Sequence, residues 1–162
     1  VSIAIVGVDP GIVHTGLVRV SFDPKVKSIG RQCRVVDGLD MRAVEVWVRD
    51  TDDLIVVEKY NSRGRLNSNA TMEAAERELK VRVPEAKALD NTGVVKVVVP
   101  GILQTLGLWD FPMRTHHQDL RSAARIAVKA MMQNDKLNKL LADVVRARVD
   151  GQPWTIEDWE VV

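Results

Sequence analysis

The sequence predicts a mixed α/β fold, a buried sheet with helices packed against it. Three observations carry that prediction. The first third of the chain holds apolar runs of strand length joined by short connections, the later part switches to apolar residues at helical spacing, and a second buried-strand run lies between predicted helices. At 162 residues, 46% hydrophobic and 28% charged, the chain is the size of one domain and carries enough apolar material for a core.

Ser2 to Asp9 (SIAIVGVD) is apolar at consecutive positions, which suits a central strand covered on both faces. Asp9-Pro10-Gly11 breaks it, since proline lacks an N–H donor and glycine accepts unusual dihedrals. His14 to Ser21 resumes as a strand, and Ile29 to Val36 gives a third, more polar one. The short connections predict an antiparallel meander. Met41, Val44 and Val48 then recur at helical spacing behind Asp40, a helix-capping residue type. Leu54 to Glu58 (LIVVE) is a buried strand ending on a carboxylate. Lys59 to Asn69 is a polar loop, Ala70 to Val83 a helix stopped by Pro84, and Val94 to Val99 (VVKVVV) a fifth strand. A short helix is predicted over Gly101 to Gly107. His116 to Met132 is a helix whose stripe of Leu120, Ala123, Ala124, Ala127, Ala130 and Met131 allows close packing on a sheet. Lys136 to Val149 forms a second amphipathic helix, followed by a tail bearing Trp154 and Trp159.

Composition sets limits on function. No apolar run approaches the ~18 residues of a membrane span, so no membrane role is expected. Cys33 is the sole cysteine, which excludes an internal disulfide and a cysteine-built zinc site and fits a reducing cytoplasm. Twenty-three Lys and Arg against 22 Asp and Glu give a net charge of +1, so any nucleic-acid contact must come from local clustering of cations.

Position singles out a few of the acidic residues. Asp9 and Glu58 end the two long buried strands, where an uncompensated carboxylate is costly. Converging carboxylates repel, and a divalent cation is the usual remedy. Asp119 lies in the first turn of the alanine-striped helix. His116, three residues earlier, shares its face toward the sheet, whereas His117 does not. Arg121, Arg125 and Lys129 fall on the opposite, solvated face, and His14 reads as structural. Asp119 alone could simply serve the positive end of its helix, and Asp9-Pro10-Gly11 alone could be an ordinary turn.

Taken in order, these segments resemble the RuvC-type Holliday junction resolvases of the RNase H-like superfamily. IVGVDPGIVHTG is similar to the family's first motif, IVVEK around Glu58 to its second, and THHQDLRSAARIA with His116-x-x-Asp119 to its last. The likeness covers roughly residues 1–132. It implies an RNase H-like mixed five-stranded sheet flanked by helices, with residues 133–162 a C-terminal helical extension and possible dimerisation element. It further implies a homodimeric endonuclease that resolves four-way junctions by paired cuts. Two Mg²⁺ ions per site, replaceable by Mn²⁺, would be held by Asp9, Glu58, His116 and Asp119. DNA contacts are expected from Lys59, Tyr60, Arg63 and Arg65. Between Pro100 and Thr115 Arg114 is the sole cation, so the stretch lacks the DNA-contacting lysines of cellular resolvases, and a compact bacteriophage form working in the host cytoplasm would accommodate the difference. Branched DNA is the expected partner, with no small-molecule substrate. The same site would also suit a flap, fork or RNA–DNA hybrid nuclease. A non-cleaving DNA-structure binder leaves the placed carboxylates unexplained. An actin-like phosphotransferase, which shares Asp-x-Gly followed by Thr-Gly, needs two such domains.

Overall fold

The computed structural model describes residues 2–48, 54–59 and 69–160. Their order is β1 (Ile3–Asp9), β2 (His14–Asp23), β3 (Ser28–Asp37), α1 (Met41–Val48), β4 (Leu54–Lys59), α2 (Asn69–Arg82), β5 (Lys87–Asp90), α3 (Val94–Val97), α4 (Pro100–Thr105), α5 (His117–Met132), α6 (Asp135–Val149) and β6 (Thr155–Ile156). The strands form one mixed sheet in the order β5-β4-β1-β2-β3-β6. β1, β2 and β3 are the antiparallel meander, while β1 with β4, β4 with β5, and β3 with β6 pair in parallel.

The run of apolar residues in β1 is explained by cover on both faces. Ile5 packs with Val18, Val20 and the Leu120–Met131 stripe of α5, whereas Val6 and Val8 face α1 and α2 through Met41, Val44, Ala75 and Leu79. Asp40 caps α1, its Oδ1 accepting from Ala43 N at 3.0 Å. The approach of α5 to the sheet is unusually close because glycines stand beneath it. A Cβ on Gly7 would collide with the backbone carbonyl of Ala123, and one on Gly16 would lie 2.7 Å from the carbonyl oxygen of Asp119.

Two expectations require correction. The segment VVKVVV is not a strand. Lys87–Asp90 holds the sheet edge, and Val94–Val97 is a short helix. A helical crossover returns the chain alongside β4 at Lys87, and the turn through Asn91, Thr92 and the left-handed Gly93 (φ 70°) then carries it off the sheet. Val95, Val97 and Val99 are 61%, 49% and 44% exposed, so the run is not buried as a strand interior would be. The sheet has six strands rather than five, since β6 in the tail pairs with Ser28 and Ile29. The apolar stripe of α6 is covered within the subunit: Leu137, Leu140, Leu141 and Val144 belong to the same core as Phe22 and Leu103. Trp154 is buried edge-on to Phe22, and Trp159 stacks under Arg31, which also donates to the carbonyls of Gly107 and Glu157. Residues 135–160 thus close the domain's own core, and a chain cut after Gln133 would expose it rather than simply lose a partner.

Candidate metal and nucleic-acid site

Strand parity brings the first two carboxylates together. Val8 pairs with Val57 in the parallel β1–β4 ladder, so Asp9 and Glu58 follow on adjacent strands. Asp9 lies on the side of Ile5 and Gly7, and Glu58 on that of Val56, which packs on Ile126 and Ala130; both therefore turn toward α5. Asp9 also pairs across the meander with Gly16, the residue on which the backbone of Asp119 sits. The glycine contact delivers the first turn of α5 to the ends of β1 and β4. Asp9 is accordingly pushed far above the usual carboxylate range, to about 9, first by burial, then by its hydrogen bond with Glu58 and the negative charges of Glu58 and Asp119.

His116 joins this group by a route the sequence does not show. The helix starts at His117, and His116 is its N-cap, held in the left-handed region at φ 68°. From there its Nδ1 lies 3.4 Å from Asp119 Oδ2. His117 turns away. Its Nε2 donates to Met113 O at 2.7 Å, its Nδ1 accepts from Phe111 N at 3.3 Å, and its ring abuts that of Phe111. It fixes the turn leading into α5.

Other neighbours escaped sequence reasoning. Asn91, in the turn after β5, donates its Nδ2 to Glu58 Oε1. That turn is itself held by Asp90, whose Oδ1 accepts from the Thr92 hydroxyl at 2.5 Å and from Thr92 N at 2.6 Å, and whose carboxylate sits below its ordinary range chiefly because of the hydroxyl. Lys129 reaches over from α5 to the carbonyls of Asp90 and Thr92. Arg121 donates to Trp109 O at 2.7 Å and lies 3.8 Å over that indole, with Arg125 beyond it. These three cations, expected to be merely solvated, tie α5 to the segments beside it. His14, expected to be structural, packs its ring on His116 with centroids 4.3 Å apart. Of the expected DNA-contacting residues, Lys59 is exposed at the end of β4, while Tyr60, Arg63 and Arg65 lie outside the described residues. A cleft of about 340 Å³ on the α2 side, lined by Val57, Lys59, Arg77 and Lys80, meets the site only at Glu58.

No protein family and no curated protein matches the chain by sequence. Among solved structures, RuvC of Thermus thermophilus in complex with a Holliday junction substrate superimposes with a TM-score of 0.57 at 20% identity, over 94% of this chain and 98% of that one. The fold is that of RuvC. A second Thermus thermophilus RuvC structure gives 0.56 at 20% identity, over 81% and 97% of the two chains. The RuvC likeness spans nearly the whole chain, and the fold is RNase H-like.

The side chains as placed bond to one another, and among the described residues no three His, Cys, Asp or Glu are arranged around a single ion position. The chemistry of the donor set nevertheless fits a hard divalent cation. Asp9, Glu58 and Asp119 supply acidic oxygens and His116 a single imidazole, a set suited to such an ion.

Proposed function

We propose that this chain is a divalent-metal-dependent endonuclease that cuts branched DNA, with the four-way junction as its substrate. One observation carries the reading: three carboxylates from β1, β4 and α5 meet on one side of a RuvC fold, where burial first and the neighbouring Glu58 and Asp119 second push Asp9 well above the usual carboxylate range. The solved relative bound to a Holliday junction supports the choice of substrate.

Asp9, Glu58 and Asp119, with His116 beside them, would hold a pair of Mg²⁺ ions, or Mn²⁺ in their stead. Such a pair, when bound, activates the attacking water and stabilises the departing 3′ oxygen of a phosphodiester. The chain's own part is positioning. Asn91 keeps Glu58 from swinging out of the group, Asp119 orients His116 through Nδ1, and the backbone of α5 is locked on Gly16. Lys59, Arg63 and Arg65 supply cations for phosphates on the strands leading away, and Tyr60 a ring to stack on an unpaired base. Two matched cuts in a two-fold junction call for a two-fold dimer of such subunits.

A panel of end-labelled junction, fork, flap, duplex and RNA–DNA hybrid tests the reading, with Mg²⁺, Mn²⁺ or EDTA. Paired symmetric cuts in the junction that vanish in EDTA are expected, with duplex spared. Cleavage of flap or hybrid in preference to junction would replace the substrate, and cleavage undiminished in EDTA would remove the metal site.

A further inference from the structure

His14 belongs to none of the roles so far assigned, yet it is the described ring in contact with His116. The two imidazoles meet edge-to-face, with centroids 4.3 Å apart and planes at 69°. His14 is on a fixed platform. It opens β2 opposite Asp37, and the residues on either side are both tied to Gly38: Gly38 N donates to Val13 O at 2.7 Å, and Thr15 Oγ1 donates to Gly38 O at 2.6 Å. Thr15 is fully buried and also accepts from Gly11 N, so the turn that follows Asp9 and the strand that carries His14 move as one piece. His14 Nδ1 is buried, with no hydrogen-bond partner among the described residues and the exposed Asp37 carboxylate 3.7 Å away.

His116, by contrast, is in a conformation that its own backbone does not favour. A non-glycine residue at φ 68° is strained, and it makes no side-chain cap to its helix. Its ring has two described contacts, Asp119 at Nδ1 and the His14 ring. We infer that His14 is a positioning residue that holds the His116 imidazole against Asp119, with Nδ1 donating to the carboxylate and the Nε2 lone pair left for a cation. Orientation of an imidazole through its other nitrogen is how proteins fix which nitrogen is free. The inference rests on the proposed nuclease reading for its purpose, not for its test.

Long-range proton–nitrogen correlation spectra of metal-free protein at pH 8 report which His116 nitrogen carries the proton. The wild type should show one tautomer, protonated at Nδ1. His14→Ala should show a mixture, and His14→Phe, which keeps a ring but no nitrogen, should restore the wild-type pattern. In junction cleavage, His14→Ala should lower kcat by about 10–100-fold with unchanged DNA affinity, and His14→Phe should recover most of it. A His14→Ala protein with the wild-type tautomer overturns the inference, as does a folded His14→Phe protein that shows the mixture. If the alanine variant fails to fold, the phenylalanine variant decides alone. Because the tautomer is read without DNA or metal, a wild type that cuts nothing refutes the nuclease reading while leaving this test intact.

Discussion

Replacing Asp9 by Asn should make the protein more stable while abolishing cleavage. Burial and the neighbouring Glu58 push the folded carboxyl up to about 9 from the 3.8 of an unfolded chain, so between those values the native state takes up a proton that the unfolded state lacks. The cost is about 1.4 kcal/mol per pH unit above 3.8, a ceiling of about 4 kcal/mol at pH 7. Allowing for the solvent-facing part of the group leaves about 2–4 kcal/mol. Asn needs no proton and can still donate toward Glu58 as the protonated acid does. For a domain of this size, that gain corresponds to a rise in Tm of about 5–15 °C at pH 7 in EDTA. The sign follows from a raised acid: wild-type stability falls as pH climbs from about 4 to 9, whereas the Asn variant loses this dependence and the two converge toward pH 4. Added Mg²⁺ should raise the wild-type Tm and leave that of Asp9→Asn nearly unchanged. Thermal melts followed by circular dichroism at pH 5, 7 and 9, with and without Mg²⁺, test each part. Equal Tm values for both proteins at pH 8 in EDTA, or a variant that still cuts, would refute the reasoning.

Three further outcomes are expected. Gly16→Ala should lower Tm by about 3–10 °C, the range for overpacking by one methyl against backbone, and cut activity at least tenfold by displacing Asp119, while Gly101→Ala, with open space around it, should be neutral or slightly stabilising; melts and cleavage rates of the pair decide. His116→Ala should reduce cleavage far more than it alters Tm, and His117→Ala should do the reverse, because His117 holds Met113 and Phe111 rather than a carboxylate; equal behaviour of the two would reverse the assignment. Alanine at Lys59, Arg63 and Arg65 together should weaken junction binding and reduce the slope of log K against log salt by about 2–3, measured by fluorescence anisotropy over a salt series.

What the sequence reveals here depends on how local each signal is. β1, β2, β4 and α5 are legible because their burial is continuous or periodic, and Asp9 and Glu58 stand out as charges at the ends of such runs. The edge strand is hidden for the opposite reason. Lys87–Asp90 is largely exposed and reads as loop, while the apolar VVKVVV nearby draws the strand assignment to itself. His116 illustrates a correct pairing reached through incorrect geometry. Spacing of three suggests a shared helical face, but the residue precedes the helix and reaches Asp119 from a left-handed N-cap, which no periodicity can announce. Asn91, His14 and Lys129 act through contacts between segments distant in sequence. The tail leaves two covers open in the sequence, this subunit or a second copy, because an apolar stripe looks the same in both cases.

The seating of α5 on Gly7 and Gly16 has a consequence for how such a protein can change. The spacing between helix and sheet at the site is set by main chain against main chain, which every sequence shares, rather than by the shapes of interlocking side chains. Core residues further along α5 and beneath α6 are therefore free to drift or be redesigned without altering the dimensions of the carboxylate group. Two positions are not free, and at each the margin is a single methyl. A library that randomises the interior while holding those two glycines should retain functional geometry at a far higher rate than one that conserves the interior and varies them.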